Sequence, residues 1–366
     1  MSINVTRSML PEFENYVDGL RRLWTSRWLT NNGTYVQELE KRLADYLGVP
    51  YVVVVSNGTL ALMIALSLFD FKPGDEIITT PFTFIATTSS IVWQHLIPVF
   101  ADIDSGSFNI SPPNIEDKIT YRTKAIMPVH VFGNPADVEA IEKIAKKYNL
   151  KVIYDAAHAF GVKYKGKSIL NWGDVSVLSF HATKVFHTIE GGALVLKDKN
   201  LYEKAKAIRD FGFYPDKEHA PWVGMNAKLN EFQALMGLLN LDIVDKEIER
   251  RKTRYGRYKA NLQGIVEFQK LNENLDRYNY IYFPVLLPSN EKREKLYTVL
   301  AEQGINTRRY FYPLTYEFEA YQKYASLTPN AYDISRRILH LPLYGELDVE
   351  IIDGICEMVR RVVADE

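Results

Sequence analysis

The sequence predicts an α/β protein with a large domain built on a mostly parallel sheet and a smaller α/β domain at its C-terminal end. Short β-branched runs alternate with longer helical stretches from about residue 51 onward. This alternation is typical of crossover units that cover a parallel sheet on both faces. After about residue 265 the pattern changes, and a chain of 366 residues is long enough for both domains.

The strands of the predicted sheet follow one another along residues 51–196. Residues 51–55, YVVVV, predict a strand that is buried on both faces, because the run is continuously apolar. The strongly apolar stretch ALMIALSLF that follows predicts a helix, and the turn residues at 73–75 end it. Further strands are predicted at EIITT, VFADID, AIMPVHV, KVIYDAA, DVSVLSF and GALVL, with a helix over residues 136–149.

Helices flank this sheet in the sequence. An amphipathic helix is predicted after Asn31-Asn32-Gly33, with Gly48 at its C-terminal end and a stripe formed by Val36, Leu39, Leu43 and Tyr46. Residues 229–262 predict one or two long helices. The smaller domain is predicted from YIYFPVLLP, a helix near residues 291–304 and a last helix from about residue 349. We therefore place the large domain, with its N-terminal helical segment, at residues 1–240 and linker helices plus the small domain at 241–366.

Composition excludes several classes of protein. Apolar residues make up 47% of the chain and the formal net charge is −1, so neither nucleic acid nor a membrane is expected as a partner. One cysteine, Cys356, excludes an internal disulfide and suits a reducing compartment. We see no transmembrane run or signal segment and expect a cytoplasmic location. No metal site is predicted.

Chemistry is expected at the carboxyl ends of the strands, where open α/β sheets bind their ligands. The first such place is Ser56-Asn57-Gly58-Thr59, between a strand and a helix. Gly58 lets the backbone approach a ligand closely, the first amides of the helix are suited to a phosphate, and the Thr59 hydroxyl adds a donor. An ordinary helix cap explains the same residues equally well.

The second place is the end of the strand KVIYD, which carries Asp155, with His158 three residues on. A carboxylate at a buried strand end needs a cationic partner, and a protonated pyridine nitrogen is one such partner. The alternatives are a strand-end aspartate that caps a loop and a histidine that belongs to the core.

The third place is the run from Ser179 to Lys184, followed by Glu190-Gly191-Gly192. A lysine just past a buried strand can lie in a dry pocket, where burial lowers the pKa of its amine and favours the neutral form that forms an imine. A solvated surface lysine is the ordinary alternative. The proximity of Lys184 to the other two places in the predicted sheet favours the functional interpretation.

The ordered motifs SNGTLAL, PFTFIATTSS, PVHVFGNP, VIYDAAHAFG, SFHATKVFHTIEGGALV and GMNAKLNEFQALMGL resemble the DegT/StrS family of nucleotide-sugar aminotransferases. The resemblance runs from WLTNNGTYV to LPLY, nearly the whole chain. It implies the fold type I aminotransferase fold, pyridoxal 5′-phosphate as cofactor, and a homodimer with shared active sites.

The resemblance also implies roles for individual residues. Lys184 would hold the cofactor as a Schiff base and shuttle the proton, and Asp155 would pair with the pyridinium nitrogen. His158, where many relatives have Gln, would lie near the ring 3-hydroxyl, and Phe84 would stack on the ring. The phosphate would be bound by Gly58, Thr59 and Ser179, and from the neighbouring subunit by Asn226 and Lys228.

The implied reaction is a ping-pong transamination with glutamate as amino donor. The motifs favour amination at carbon 4 of dTDP-4-keto-6-deoxyglucose, giving dTDP-4-amino-4,6-dideoxyglucose, a sugar of O-antigen or lipopolysaccharide biosynthesis. His187 and Arg309 are candidates for sugar or nucleotide contacts, although a structural role is as plausible for each.

Three alternatives to this function were considered. A relative could act at carbon 3 or on a UDP- or GDP-linked sugar. Some members dehydrate at carbon 3 and have histidine in place of the lysine, and Lys184 argues against that group. A non-catalytic regulatory protein that binds the cofactor is the alternative from another class; it would need a fused DNA-binding module, for which the chain leaves no room.

Overall fold

A seven-stranded sheet forms the centre of the large part of the molecule, as seen in a computed structural model that describes residues 2–365. Along the chain the strands are β1 Tyr51–Val55, β2 Glu76–Thr79, β3 Ile97–Phe100, β4 Thr123–Ile126, β5 Lys151–Asp155, β6 Lys163–Tyr164, β7 Lys167–Ser168, β8 Val175–Ser179, β9 Gly192–Leu196, β10 Leu275–Arg277, β11 Phe283–Leu286 and β12 Ile338–Leu341. The large sheet has the order β1-β9-β8-β5-β4-β2-β3. The predicted strands are therefore confirmed.

The sheet is mostly parallel, as predicted. β3, β2, β4, β5 and β8 run in one direction. β9 is antiparallel to both of its neighbours, β1 and β8. This reversal was not predicted, and it arises because β9 follows β8 through a connection without a helix; parallel neighbours need a longer crossover.

Eleven α-helices lie within residues 2–365. They are α1 Phe13–Ser26, α2 Thr34–Leu47, α3 Gly58–Ser67, α4 Ile85–Trp93, α5 Pro112–Glu116, α6 Val138–Tyr148, α7 Lys199–Arg209, α8 Glu231–Leu262, α9 Asn290–Glu302, α10 Pro329–Arg337 and α11 Val349–Ala364. The helices predicted after residue 33, after residue 57, over 136–149, near 291–304 and from 349 are all present. None of the helices in the described part of the chain is long and apolar enough to cross a membrane.

Strand β1 shows how the apolar run positions the sheet between two helical layers. Val52 and Val54 belong to one buried apolar cluster, whereas Val53 and Val55 belong to a second cluster on the other face. Side chains alternate along a strand, so only a continuously apolar run can fill both clusters. Each fully buried valine contributes about 1.5–3 kcal/mol to folding.

Helix α2 has the predicted amphipathic face. Val36, Leu39 and Leu43 are buried, while Tyr46 is partly buried against the same cluster. The helix ends at Gly48, whose φ of 64° closes the last turn through its amide. A side chain at this left-handed position would strain the backbone, which explains the glycine.

The C-terminal part has its own apolar cluster. Most of its buried members come from α8 from Tyr255 onward, from the antiparallel pair β11 and β12, and from α9 and α11. The predicted division between residues 240 and 241 falls inside α8, which is one continuous helix. A division into two domains stays a proposal, and the separate third cluster supports it.

Candidate active site

The carboxyl ends of β5 and β8 meet the N-terminus of α3 at a cavity of about 290 Å³. Seven of the residues proposed from the sequence line this cavity together: Gly58, Thr59, Phe84, Asp155, His158, Ser179 and Lys184. They come from four separate stretches of chain, and the parallel sheet brings them to one edge.

A glycine and a serine form a narrow cradle at the start of α3. The Asn57 side chain caps this helix by accepting a hydrogen bond from the Leu60 amide at 2.9 Å. The amides of Gly58 and Thr59 lie in the first turn, where no carbonyl of the helix is available to them. A Cβ on Gly58 would lie 3.1 Å from Cβ of Ser179. The site has the amides and hydroxyls that a phosphate needs, in a space that a side chain at position 58 would narrow.

Asp155, the last residue of β5, is a buried carboxylate held by two hydrogen bonds. The Thr87 hydroxyl donates to Oδ2 at 2.7 Å and the Ala157 amide donates to Oδ1 at 3.1 Å. Burial nevertheless raises the pKa of Asp155 above its ordinary value. Within residues 2–365 no cationic side chain lies within salt-bridge distance of it. A buried carboxylate of this kind favours a cationic ligand in the cavity.

Lys184 lies on the turn after β8, where its amide donates to the carbonyl of His181 at 2.9 Å. The side chain lines the cavity. Burial lowers the pKa of the Lys184 amine to about 8, although the charges of Tyr310 and Asp155 act in the opposite direction. About one-tenth of the amine is therefore neutral at pH 7, far more than for an ordinary lysine, and the neutral form is the one that attacks a carbonyl.

His158 is buried and uncharged. Its Nδ1 accepts a hydrogen bond from the Phe132 amide at 3.3 Å, so the proton of the neutral ring is assigned to Nε2. Burial, and next to it the charge of Lys184, lowers the pKa of His158 well below the ordinary histidine value. The ring lies parallel to that of Phe311, with centroids 5.9 Å apart. His158 can therefore offer one N–H donor to a ligand over the whole physiological pH range.

Phe84 is an exposed aromatic side chain at the edge of the cavity. It occupies the position just before α4, and 55% of its surface is exposed. An aromatic ring placed in this way can stack on a planar ligand, a contact that contributes about 0.5–1.5 kcal/mol beyond burial.

Four proposed residues lie outside the cavity. His187 is buried, its Nε2 donates to the Met9 carbonyl at 2.7 Å, and Asn240 Nδ2 donates to the His187 carbonyl at 2.9 Å. Arg309 donates to both carboxylate oxygens of Glu294 at 3.0 Å. Their roles toward a substrate stay predictions, and the contacts made by His187 are those of a structural residue.

Asn226 and Lys228 also lie away from the cavity of their own chain. Lys228 Nζ donates to Asp210 Oδ1 at 3.0 Å and lies 4.5 Å from the centre of the Phe211 ring. Their expected role is toward a neighbouring subunit, and that role stays a prediction.

The sequence analysis did not predict the part of the cavity that is formed by the C-terminal part of the chain. Arg308, Tyr310 and Phe311 line it, as do His181 and Glu190 near the lysine. The backbone of Arg308 pairs with His340 of β12, and this long-range pairing brings the segment to the cavity. In the sequence, Glu190 stands out only as part of a glycine-containing stretch.

The residues present fit pyridoxal phosphate. Asp155 suits the protonated ring nitrogen, Lys184 the aldehyde carbon, and Phe84 the ring face. The glycine-and-serine cradle at Gly58 suits the phosphate. The burial of Asp155 and the open space beside Gly58 support two of these matches.

Cofactor binding should be sensitive to a methyl group at position 58. We expect Gly58→Ala to raise the dissociation constant for pyridoxal phosphate about tenfold or more, because the methyl group weakens at least one phosphate hydrogen bond. Absorbance or fluorescence titration of the cofactor-free protein measures this. Gly256→Ala is the matched control, since nothing lies within 4 Å of a Cβ there; it should stabilise α8 by about 0.5–1 kcal/mol. Equal cofactor affinities for the two variants would contradict the cradle.

The pKa of Lys184 should set the pH dependence of covalent cofactor uptake. We expect the rate of attachment to the cofactor-free protein to rise with pH and to level off above about 8, because the neutral amine reacts and its pKa is lowered to about 8. An ordinary lysine would keep gaining neutral form up to about pH 10.4. Stopped-flow absorbance measures the rate, and a lysine peptide corrects for the pH dependence of the aldehyde. A protein rate that parallels the peptide would show that the site does not lower the pKa.

Comparisons with known proteins find relatives that match this chain over nearly its whole length. The model of the DegT/DnrJ/EryC1/StrS aminotransferase family matches residues 12–360. The chain is 43% identical to the dTDP-4-amino-4,6-dideoxy-D-glucose transaminase of Shigella dysenteriae, over 98% of this chain and 99% of that protein. It is 36% identical to the GDP-perosamine synthase of Escherichia coli O157:H7, over 93% of each chain.

Solved structures have the same fold. The crystal structure of DesI in the presence of its TDP-sugar product superposes with a TM-score of 0.93 at 31% identity, covering 99% of this chain and 93% of that one. The predicted fold class is confirmed.

Proposed function

The chain belongs to the DegT/DnrJ/EryC1/StrS aminotransferase family, and on that premise we propose that it transfers an amino group from glutamate to carbon 4 of dTDP-4-keto-6-deoxyglucose. It is a pyridoxal-phosphate-dependent sugar aminotransferase. The observation that carries the proposal is the meeting of the lysine amine of Lys184 and the buried carboxylate of Asp155 at one cavity. The 43% identity to a dTDP-4-amino-4,6-dideoxy-D-glucose transaminase supports the choice of sugar.

Individual residues of the chain have separate roles in the proposed reaction. Pyridoxal phosphate, when bound, supplies an electron sink for the carbanion formed at the donor's α carbon. Asp155 would hold the ring nitrogen in its protonated form, and Thr87 and the Ala157 amide fix the orientation of that carboxylate. Lys184 Nζ would take the proton from the α carbon of the donor as general base and give it to the cofactor's C4′ carbon as general acid. This role requires an amine that is partly neutral at working pH.

A second sugar nucleotide is favoured by one specific observation. The 36% identity to a GDP-perosamine synthase supports a GDP-linked keto-sugar as an alternative substrate. Amination at carbon 3, or of a UDP-linked sugar, is the remaining alternative within the same reaction class. All of these use the same lysine and carboxylate, so they differ only in the sugar and nucleotide contacts.

A substrate panel separates these possibilities. The holoenzyme is incubated with glutamate and, separately, with dTDP-, UDP- and GDP-linked keto-sugars, and the position of the new amine is found by NMR. We expect the dTDP-linked 4-keto-6-deoxyglucose to react fastest and to carry the amine at carbon 4. An amine at carbon 3, or turnover only with a GDP-linked sugar, would overturn the proposed substrate. The Lys184→Ala protein in the same mixtures reports any reaction that does not need the site.

We also propose that the protein is a homodimer with shared active sites. The N-terminal segment carries several large apolar side chains that are exposed in the single chain, among them Phe13 at 75% and Trp24 at 68%. Such a patch is typical of an interface. Lys228 and Asn226 lie outside the cavity of their own chain, and in the proposed dimer both would face the cavity of the neighbouring subunit. Sedimentation equilibrium should give twice the chain mass of 42.1 kDa, and a monomer would contradict the proposal.

Two broader proposals concern the location of the protein and the use of its product. A cytoplasmic location is supported by the single cysteine, Cys356, which is buried and free. Use of the product in O-antigen or lipopolysaccharide assembly is proposed from the sugar alone.

A further inference from the structure

The turn between Lys184 and β9 presents a carboxylate at the edge of the cavity. Glu190 lines the cavity and its side chain is half-exposed. Among residues 2–365 no lysine or arginine forms an ion pair with it, and His181 Nε2 lies 3.5 Å from its Oε1. The Thr183 amide donates to His181 Nδ1 at 3.2 Å, so the proton of the neutral ring is assigned to Nε2. One carboxylate oxygen therefore faces His181, and the other can accept a hydrogen bond from a ligand.

The backbone just before Glu190 is strained. Ile189 has a φ of 69°, in the left-handed region that β-branched residues avoid. Such a conformation persists only where surrounding contacts enforce it, and it occurs most often at functional sites. Ile189 is 44% exposed, so the packing of its side chain does not explain the conformation. The contacts that enforce it must reach the backbone of the turn.

His187 supplies one of these contacts. Its Nδ1 accepts a hydrogen bond from the Ile189 amide at 3.2 Å, and its Nε2 donates to the Met9 carbonyl at 2.7 Å. Burial lowers the pKa of His187, so the ring is neutral and has the one acceptor and the one donor that these bonds require. Asn240 Nδ2 donates to the His187 carbonyl at 2.9 Å. The imidazole therefore fixes the turn against the N-terminal segment of the chain.

Thr188 closes the same turn with two hydrogen bonds. Its hydroxyl donates to the Glu190 carbonyl at 2.8 Å, and its amide donates to the Phe180 carbonyl at 3.0 Å. A Cβ on Gly191 would collide with this hydroxyl, which explains the glycine after Glu190. The backbone of Glu190 is thus held on both sides, and its carboxylate has a defined place at the cavity.

The charge of Glu190 limits which group of the proposed reactants it can bind. Glutamate carries two carboxylates and the sugar nucleotide a diphosphate, and like charges placed side by side are unfavourable. The amine of glutamate is the reacting group and must lie at Lys184. The ring hydroxyls of the keto-sugar are neutral donors, and a hydrogen bond from a hydroxyl to a carboxylate is stronger than one to a neutral acceptor. A sugar hydroxyl is therefore the group that suits Glu190.

We propose that Glu190 accepts a hydrogen bond from a ring hydroxyl of the keto-sugar, and that His187 is the positioning residue that holds Glu190 in place through the Ile189 amide. The assignment rests on the proposed function and adds a sugar contact to it. His187 acts through the turn and needs no contact of its own with the substrate. The proposed keto-sugar has ring hydroxyls at carbons 2 and 3, and analogues that lack one or the other identify the donor.

The half-reaction with the sugar tests Glu190. Protein loaded with pyridoxamine phosphate is mixed with dTDP-4-keto-6-deoxyglucose, and loss of the amine form of the cofactor is followed by absorbance. We expect Glu190→Ala to need about 10- to 100-fold more sugar nucleotide for half-maximal rate, as for the loss of a hydrogen bond to a charged group. Its half-reaction with glutamate should stay within about threefold of wild type. Glu302→Ala, at an exposed position at the end of α9, is the matched control and should behave as wild type in both.

Deoxy analogues identify the group that Glu190 binds. The wild-type protein should lose a similar factor with either the 2-deoxy or the 3-deoxy keto-sugar nucleotide, because the same hydrogen bond is then missing from the ligand. With that analogue Glu190→Ala should lose little more, since the two changes remove one shared contact. Independent losses with both analogues, or an unchanged sugar requirement in Glu190→Ala, would overturn the assignment.

Variants of His187 test its positioning role. His187→Asn keeps an acceptor near the place of Nδ1, whereas His187→Leu has none. We expect His187→Leu to raise the half-saturating sugar concentration about fivefold to tenfold with little change in the maximal rate, and His187→Asn to recover most of this loss. Added to Glu190→Ala, His187→Leu should have little further effect, because it acts through Glu190. An equal effect in that background would show a general structural role and overturn the positioning.

The outcomes separate this inference from the proposed function. If the wild-type protein aminates no keto-sugar nucleotide, the proposed function is refuted and the inference with it. If the wild-type protein reacts and Glu190→Ala needs no more sugar nucleotide than wild type, the contact assigned to Glu190 is refuted and the proposed function stands.

Discussion

Lys184→Ala should lower the rate of transamination by about 10⁴-fold or more. One substitution removes the amine that attacks the cofactor carbonyl and the base that moves the proton, and general acid–base catalysis alone contributes about 10²–10⁴-fold. The cavity keeps Asp155 and the residues of the phosphate cradle, so the variant should still bind the cofactor weakly. Steady-state turnover and equilibrium dialysis measure the two effects.

Two further variants separate the chemistry of this lysine from its charge and from general effects of mutation. Lys184→Arg keeps a cation but has no nucleophilic amine, and it should be as inactive as the alanine variant. Lys199→Ala, at an exposed position at the start of α7, should leave turnover unchanged. Turnover of Lys184→Ala within tenfold of wild type would contradict the role of this lysine.

Asp155→Asn should lower turnover by about 10²–10⁴-fold in the holoenzyme. Asparagine has nearly the same shape but cannot stabilise a protonated ring nitrogen, and breaking a buried charge pair costs about 3–5 kcal/mol. Single-turnover kinetics with glutamate should place the loss in the proton-transfer step. Asp242→Asn, which alters a surface pair with Arg42, is the control for removal of one charge.

Although Asp155→Asn should lower turnover, it should not lower the stability of the cofactor-free protein. Burial raises the folded-state pKa of Asp155 above its unfolded value of about 3.9. Its contribution to stability is therefore full below the unfolded pKa and is lost as the pH rises through the folded pKa. At neutral pH the cofactor-free Asp155→Asn protein should unfold at an equal or higher temperature than wild type. A lower temperature would show that the carboxylate already has a cationic partner in the chain.

Much of the large sheet could be predicted from the sequence because its strands are short, mostly apolar runs and turn residues separate them from the helices. The direction of β9 was not assigned, since the run GALVL contains no information on orientation. The signal was in the connection: the segment between Ser179 and Gly192 contains no helix, and a crossover to a parallel neighbour requires one in most proteins. Strand identity is a local property, whereas strand direction depends on what joins the strands.

The residues of the site also differ in how far local sequence could predict them. Asp155 ends β5, Lys184 follows β8, and these two strands are neighbours in the sheet, so the rule for strand ends was enough to bring the two residues together. Arg308 and Tyr310 reach the cavity only through pairing with His340 of β12, and nothing in the local sequence predicts that contact. His187 lies three residues after Lys184 but outside the cavity, where its ring bonds the Met9 carbonyl and lies beside Asn240. Its proposed contact with the substrate stays a prediction.

The most direct test of the account is to find where the cofactor becomes attached. The protein is purified with pyridoxal phosphate, reduced with borohydride and digested, and its peptides are analysed by mass spectrometry. We predict one labelled peptide with the cofactor on Lys184. A protein that takes up no cofactor, or a label on a different lysine, would contradict the account.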